Sequence, residues 1–255
     1  DELLAPKKRK AKRLDYLESL PKADQEYLSS WFSKDVLAEL DHISLAIGRI
    51  ADKHARNLML TSLSNILRSV SWQKDDDLRV RKEIRPDFEA DPTKEFLQEL
   101  NRSTRSVLAF LYQNGPVRKS AFEILEGDAK QCGETWGEKS IDLVITSPPY
   151  ATALPYLDTD RLSLCYLGLL PRPEHRVRDS FMIGNREVSE GLRRTYWTRF
   201  EEYGKTLPGP IQDLIRRIDS LNAGTNVGFR RRNLPALLAK YFFDITAVME
   251  SIYQA

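Results

Sequence analysis

Apolar residues recur at helical spacing through the first part of the chain. After Ser33, which can cap a helix, one stripe follows the i, i+3, i+4, i+7 pattern of a buried helix face, with members at Val36, Leu37, Leu40, Ile43, Ile47 and Ile50. Asp52 can begin a second helix, and Thr93–Gln113 has the pattern of a third, which Asn114-Gly115-Pro116 would end. We therefore predict a helical subdomain at residues 21–116, preceded by an N-terminal segment at 1–20.

Two charged stretches interrupt this helical pattern. Residues 6–13 read Pro-Lys-Lys-Arg-Lys-Ala-Lys-Arg, which suits a solvated helix start, an arm that binds DNA phosphates or a nuclear-localisation signal. Residues 73–92 mix acidic and basic side chains with prolines, so we predict a long exposed loop there. Its mixed charge argues against a simple phosphate clamp.

A different pattern appears in the middle of the chain. The run from Ile141 to Ile145 is apolar without regular polar alternation, which is typical of a strand buried on both faces of a parallel sheet, and Ala121–Glu126 also reads as a strand. Nineteen positions separate Asp128 from Ser147, which is enough for the crossover of roughly a dozen residues that parallel strands need. The pattern predicts an α/β core at residues 117–170.

The second run leads directly into Ser147-Pro148-Pro149-Tyr150. The two prolines lack an N–H and fix φ, so they would end the strand in a stiff, extended tip. The Ser147 hydroxyl and the Pro148 carbonyl can each accept a hydrogen bond from an amino group, and the Tyr150 ring offers a face for stacking. Such a tip suits an aromatic amine, whereas the plainer interpretation is a strand that ends in a proline-rich turn.

Basic and aromatic residues accumulate after the tip. Arginines interleave with Phe181, Tyr196 and Trp197 in a region that we assign to residues 171–232, an arrangement that suits phosphate contacts and base stacking. The candidate nucleic-acid contacts are Tyr156, Arg161, Arg186, Arg193, Arg194, Arg230, Arg231 and Arg232. We predict a helix from Tyr156 to Leu170, and a final helix from Pro235 to about Tyr253 in segment 233–255, with one face formed by Leu237, Leu238, Tyr241, Phe242, Ile245 and Met249.

Composition narrows the class of protein. The 255 residues have a net charge of only +2, so a nucleic-acid surface requires local clustering of the basic residues. The two cysteines, Cys132 and Cys165, are too far apart for a C-x-x-C motif, and the three histidines have no metal-ligand spacing. No apolar run approaches the roughly 20 residues of a membrane span. We expect no membrane, no metal and no disulfide framework.

The run Asp142-Leu143-Val144-Ile145-Thr146 followed by Ser-Pro-Pro-Tyr resembles the catalytic motif of the S-adenosylmethionine-dependent DNA amino-methyltransferases. The resemblance implies a Rossmann-like α/β methyltransferase sheet, with an incomplete sheet left open, and a large helical insertion. It implies S-adenosyl-L-methionine as cofactor, held near Asp128 and Ala129, and a flipped base of double-stranded DNA held by Ser147, Pro148, Pro149 and Tyr150. The Ser form of the motif favours cytosine N4 over adenine N6.

One part of that family's pattern does not occur in these residues. The enzymes carry a glycine-rich Phe-x-Gly-x-Gly turn for the methionine end of the cofactor, and no segment of this sequence matches it. A missing segment, which we favour, a second chain that supplies the turn, or a degenerate enzyme would each explain this. RNA or protein-amide methylation and a non-catalytic nucleic-acid-binding subunit remain alternative functions. The resemblance also implies a cytoplasmic protein of a bacterium or archaeon, associated with the nucleoid and with restriction-modification.

Overall fold

The computed structural model describes residues 13–74, 81–84, 89–116, 122–136, 138–154, 156–223 and 226–255. Most of the basic block at residues 6–13, parts of the loop at 73–92 and the first residue of the predicted strand at 121–126 lie outside these ranges. In chain order the helices are α1 (Asp15–Ser19), α2 (Lys22–Trp31), α3 (Lys34–Gly48), α4 (Lys53–Leu67), α5 (Pro92–Asn114), α6 (Cys132–Thr135), α7 (Tyr156–Thr159), α8 (Arg161–Tyr166), α9 (His175–Phe181), α10 (Glu190–Tyr203), α11 (Gly209–Asn222) and α12 (Phe229–Gln254).

The chain forms two compact units. The first contains the described residues up to Phe122 together with Leu157–His175, and the second contains Glu123–Tyr156 together with Arg176–Ala255. The segment that carries the Ser-Pro-Pro-Tyr tip therefore interrupts the first unit in sequence and belongs to the second.

The first unit is a helical bundle that follows the predicted apolar stripe. Ser33 caps α3 by accepting from the N–H of Val36, and Asp52 caps α4 by accepting from the N–H of Ala55. The stripe residues of α3 from Val36 to Ile47 are buried, and they pack with the following core residues of the other helices: Leu28, Phe32, Leu63, Ile66, Leu67, Val70 and Phe96. The predicted helices of this region are confirmed. Apolar residues at helical spacing bury one face of α3 and of α4, whereas α5 buries Phe96 and leaves its later apolar residues, such as Leu108 and Phe110, exposed.

Helix α8 completes the core of the first unit. Leu162, Cys165 and Tyr166 are buried against α1–α4, and the Tyr166 hydroxyl lies 3.0 Å from the Ser44 hydroxyl. The predicted helix from Tyr156 to Leu170 is only partly correct, since it divides into α7 and α8 at Asp160 and ends at Tyr166.

The second unit is organised around α12, which packs against α10 and α11. Its core contains Phe200, Leu207, Ile215, Ala239 and Phe243. The segment from Ala129 through α6 packs near the other end of α12, where the Ser251 hydroxyl accepts from the N–H of Gly133 at 2.7 Å. The region predicted as an arginine-rich surface at 171–232 is therefore largely helical and supplies much of this core.

Helix α12 differs from its prediction at its start. It begins at Phe229, so Pro235 lies inside the helix rather than at its first turn. Proline has no N–H, and the carbonyl of Arg231, four residues earlier, loses its usual helical donor. The side-chain amide of Asn222 donates to that carbonyl at 2.7 Å and replaces the missing bond. The buried face also differs, because Ala236, Ala239 and Phe243 are buried whereas Met249 is exposed.

The predicted α/β fold is wrong for this structure. Among the described residues no β-sheet forms, and the one isolated bridge pairs Gln73 with Lys82. Residues 122–128 and 143–150 adopt no regular structure, and apolar side chains in both segments are exposed, including Ile124 and Ile145, each 87% exposed. A strand needs neighbouring strands to accept its backbone hydrogen bonds and cover its faces, and the described part of the chain supplies none to these segments.

Candidate functional site

The Ser-Pro-Pro-Tyr tip lies at the surface of the second unit. Ser147, Pro148 and Tyr150 are exposed, and Pro149 is half-buried. The side-chain and carbonyl groups that we predicted to hold an aromatic amine therefore face solvent. The Tyr150 ring is 65% exposed, which leaves a face open for stacking.

The chain before the tip is fixed to the last residues of α12. The carbonyl of Ala255 accepts from the N–H groups of Ser140 and Ile141, and the carbonyl of Gln254 accepts from the N–H of Lys139. Because the tip follows Ile141 by only a few residues, these bonds limit where the exposed segment can reach.

Tyr156, which we predicted as a nucleic-acid contact, is the first residue of α7. Its hydroxyl accepts from the N–H of Tyr150 at 2.7 Å, so it supports the backbone of the tip. Pro148 and Pro149 have no N–H, which makes Tyr150 the first residue after Ser147 whose N–H can anchor the backbone. The aromatic residue at position 156 was visible in the sequence, but its contact with Tyr150 was not.

A turn after α9 also contacts the tip and was missed by sequence reasoning. Gly184, at φ +79°, lies against the Tyr150 carbonyl and the Pro149 ring. The only sequence signal for this turn is the dipeptide Gly184-Asn185, which marks turns in general and not contact with a particular segment.

Asp128 and Ala129, the predicted cofactor contacts, are exposed at the start of a short 3-10 helix that ends at Gln131. One Asp128 carboxylate oxygen accepts from the N–H of Lys130, and the other lies 3.4 Å from the Lys130 ammonium group. Nearly half of the Asp128 side chain remains exposed, at 45%. A carboxylate in this setting retains lone pairs for a donor from a ligand.

The candidate arginines of the second unit divide into two groups. Arg193 and Arg194 both bind Glu190, and these hydrogen bonds lower the pKa of Glu190 to about 2. Arg230 pairs with Glu187 at 3.2 Å. Arg231 and Arg232 are exposed in the first turn of α12. They form no ion pair within the described part of the chain, and neither does Arg186, which is half-buried and lies before α10. A helix start is also the end that attracts anions, so the second group suits phosphate better.

The predicted aromatic platforms are used mainly for packing. Trp197 packs against Phe200 with ring centroids 5.3 Å apart, and its indole N–H donates to Glu201. The Tyr196 hydroxyl donates to the carbonyl of Ser180. Phe181 alone among the three interleaved aromatics is exposed, so stacking on this surface has less support than phosphate contact.

Arg161 lies in the first unit and pairs with Asp158, three residues earlier. Its side chain is 22% exposed, and its Nε is buried. The tip, Asp128 and the α12 arginines therefore belong to the second unit, whereas Arg161 belongs to the first.

Two known proteins are similar to part of this chain. The chain is similar to the type II methyltransferase M.MjaII of Methanocaldococcus jannaschii, at 26% identity over 156 residues that cover 52% of this chain and 29% of that protein. It is also similar to the type II methyltransferase M.MvaI of Kocuria varians, at 24% identity over 180 residues that cover 67% of this chain and 39% of that protein. The chain therefore spans less than two fifths of the length of these relatives. No family model matches the chain, and no solved structure does.

Two further searches of the described residues found nothing. No helix there is both long enough and apolar enough to cross a bilayer. No group of three or more histidine, cysteine, aspartate or glutamate side chains in the described ranges is arranged to hold a metal ion.

Proposed function

We propose that this chain is part of an S-adenosylmethionine-dependent DNA methyltransferase that modifies the exocyclic amine of a flipped base, with cytosine N4 favoured over adenine N6. The observation that supports this most is the exposed Ser147–Tyr150 tip, whose sequence resembles the amino-methyltransferase motif. The similarity to two type II methyltransferases agrees with the reaction class.

The residues of the tip would bind the acceptor. The target base leaves the duplex, because its amine is otherwise paired and inaccessible. The Tyr150 ring stacks on the base, while the Ser147 hydroxyl and the Pro148 carbonyl accept from the two amine N–H groups. These bonds orient the nitrogen lone pair towards the methyl donor, so positioning and oriented dipoles provide the rate enhancement.

S-adenosylmethionine, when bound, supplies an electrophilic methyl group on a sulfonium. The exposed carboxylate of Asp128 fits one contact with it, as an acceptor for an amino or hydroxyl group, and Ala129 follows at the start of the short helix. The glycine-rich turn for the methionine end would come from another segment of the protein or from a second chain.

No cysteine nucleophile is required for amine methylation, and the thiols of this chain agree with that chemistry. Cys165 is fully buried, and burial together with the nearby Asp24 carboxylate raises the pKa of its thiol to about 12. The thiolate is the nucleophilic form, so this thiol is inert at neutral pH. Neither cysteine follows a proline, unlike the nucleophile of the C5-cytosine enzymes.

The first turn of α12 would contact the DNA backbone. Arg231 and Arg232 are exposed there and form no ion pair among the described residues, and the helix has no acidic residue in that turn. Arg186 would add a further contact, whereas Arg193, Arg194 and Arg230 already have carboxylate partners. Phosphate contacts of this kind fix orientation without reading the sequence.

A Ser147→Ala variant tests the proposed role of the tip. Methyl transfer from tritium-labelled S-adenosylmethionine to DNA should fall by roughly ten-fold or more, because one acceptor of the amine is lost. The melting temperature should not change, since Ser147 is exposed. Ser220→Ala, which removes an exposed hydroxyl on α11, is the matched control and should leave transfer unchanged. Unchanged turnover in Ser147→Ala would reject the role.

A non-catalytic nucleic-acid-binding subunit is the second candidate, because the glycine-rich turn does not occur in these 255 residues. Calorimetric titration with S-adenosylmethionine separates the two functions. Binding by this chain alone supports the catalytic function, and binding only after a partner is added indicates a split or helper subunit. A panel of DNA, RNA and protein acceptors in the tritium assay tests the nature of the substrate.

A further inference from the structure

The tip is in direct contact with a turn at Gly184. A residue with a Cβ could occupy this position only if its neighbours in the tip moved. Gly184 has φ +79°, a conformation that residues with a Cβ rarely adopt. A Cβ at this position would lie 2.8 Å from the Tyr150 carbonyl oxygen and 3.3 Å from the Pro149 Cβ. Both neighbours belong to the rigid tip, so a larger residue would have to push the tip itself.

A buried charge on α12 holds the turn in place. The Lys240 ammonium group donates to the carbonyl of Met182 at 2.8 Å and to the Asp244 carboxylate at 2.5 Å. The side chains of Lys240 and Asp244 are only 7% and 9% exposed. Charges buried to this degree depend on each partner, because an unpaired buried charge is strongly destabilising. The Met182 carbonyl is therefore fixed to the most buried part of α12.

The opposite side of Tyr150 is held as well. The Tyr156 hydroxyl accepts from the Tyr150 N–H at 2.7 Å, while Gly184 contacts the Tyr150 carbonyl. The peptide groups on both sides of Tyr150 are thus restrained by two different segments. The prolines at 148 and 149 transmit this restraint towards Ser147, because both have a fixed φ.

We propose that Gly184 and Tyr156 are positioning residues for the Ser147–Tyr150 tip, with the Lys240–Asp244 pair seating the Gly184 turn. The inference rests on the proposed function, because it assigns these groups to the geometry of the amine-binding tip. Displacing a reacting group by about 1 Å can cost on the order of 100-fold in rate. Small shifts of the turn would therefore reduce turnover without removing any group that binds the base.

Gly184→Ala is the primary test, and Gly115→Ala is its matched control. Gly115 has φ +70° at the end of α5, with no atom within 4 Å of a Cβ placed there, so it shares the positive φ of Gly184 without the contact. We expect kcat for methyl transfer to fall about ten-fold or more in Gly184→Ala, with the KM for DNA changed less than about three-fold, and no loss in Gly115→Ala.

Tyr156→Phe provides a second variant in case Gly184→Ala does not fold. It removes the acceptor of the Tyr150 N–H and leaves the ring in place, so the same fall in kcat with little change in KM is expected. A fall in DNA affinity with unchanged kcat would instead make Tyr156 a DNA contact and overturn its positioning role.

A readout that does not depend on activity separates this proposal from the proposed function. The chain is labelled with 3-fluorotyrosine, and the Tyr150 resonance is assigned by its loss in Tyr150→Phe. We expect this resonance to shift in Gly184→Ala and in Tyr156→Phe, but not in Gly115→Ala. A shifted resonance in a chain that transfers no methyl group, even with the segment or second chain that supplies the glycine-rich turn, would reject the proposed function and retain the restraint of the tip. An unmoved resonance would overturn the restraint, whatever the activity.

Discussion

Buried polar side chains in the first unit show how single residues constrain the chemistry of this chain. The His175 Nε2–H donates to the carbonyl of Leu170 at 2.9 Å, and the Cys165 sulfur lies 3.6 Å from the same nitrogen. The Asp24 carboxylate accepts from the N–H of Arg172 at 2.6 Å. A cysteine, a histidine and an aspartate in one cluster would suggest a nucleophile, but the environment keeps the thiol protonated.

Cys165 should be unreactive in the folded protein. Its side chain is inaccessible and the pKa of its thiol is raised to about 12, whereas Cys132 is partly exposed. Titration with a thiol reagent at neutral pH should modify one cysteine per chain, and the second only in denaturant. Cys132→Ser should abolish the reaction under native conditions. Rapid modification of that variant would show that the α8 core is open.

Stability should decrease as the pH falls through the range in which histidine titrates. Burial lowers the pKa of His175 below its usual 6.5, so the unfolded chain binds a proton that the folded chain does not. The contribution of neutral, buried His175 to the free energy of unfolding is therefore complete above pH 6.5. It is lost as the pH falls through the lower pKa that His175 has in the folded state.

The melting temperature of the protein and of His175→Gln, measured between about pH 8 and pH 5, tests this effect. The variant should show a smaller decrease than the unmodified chain. His54→Gln, on the exposed side of α4, is the control and should keep the original dependence. Identical profiles for all three proteins would contradict the assignment.

At the scale of secondary structure, helix α12 contacts most of the other segments of the second unit that the proposal uses. Its first turn presents Arg231 and Arg232, and its middle buries the Lys240–Asp244 pair. The carbonyl of Ala255, directly after the helix, accepts from Ser140 and Ile141. A single helix therefore connects the proposed phosphate contacts with the restraint of the proposed amine-binding tip.

The arginines of α12 should dominate the salt dependence of DNA binding. Removing two phosphate contacts should reduce the slope of log K against log salt concentration by about 2, because each contact releases about 0.9 counterion. We expect this change for the double variant Arg231→Ala, Arg232→Ala, measured by fluorescence anisotropy with duplex DNA at several salt concentrations.

Arg194→Ala serves as the control for that measurement. Arg194 is exposed like the α12 arginines, but it pairs with Glu190, so its loss should change the slope much less. If Arg194→Ala reduced the slope by half as much as the double variant, binding would depend on net charge alone and not on the helix start.

At the scale of the whole molecule, the sequence predicted the helices of the first unit but not the structure of the second. Residues such as Leu40, Ile43 and Leu63 recur at helical spacing, and they are buried between neighbouring helices. A local sequence pattern was therefore sufficient to predict these helices. The runs around Ile124 and Ile145 have the pattern of buried strands, but a strand also depends on distant partners, which a local pattern does not report.

For the candidate site, the sequence predicted which residues take part but not the contacts that hold them, and their roles stay predictions. The exposed position of Ser147 and Tyr150 agrees with a binding tip, and the arginines of α12 were identified from their clustering. The contacts of Gly184 and Lys240 with this region were not predicted, because they join residues more than 30 positions apart in the sequence. Only the folded chain shows which segment supports which.

The hydrogen bond from Asn222 to the Arg231 carbonyl has a consequence for the evolution of the proposed DNA-contacting surface. Because Pro235 leaves that carbonyl without its normal donor, the arginine-bearing turn takes its register partly from the end of α11. A substitution at position 222 would therefore change the proposed affinity for duplex DNA although every basic residue stays unchanged. The proline and the asparagine should be inherited together, and losing either one alone should be the rarer event.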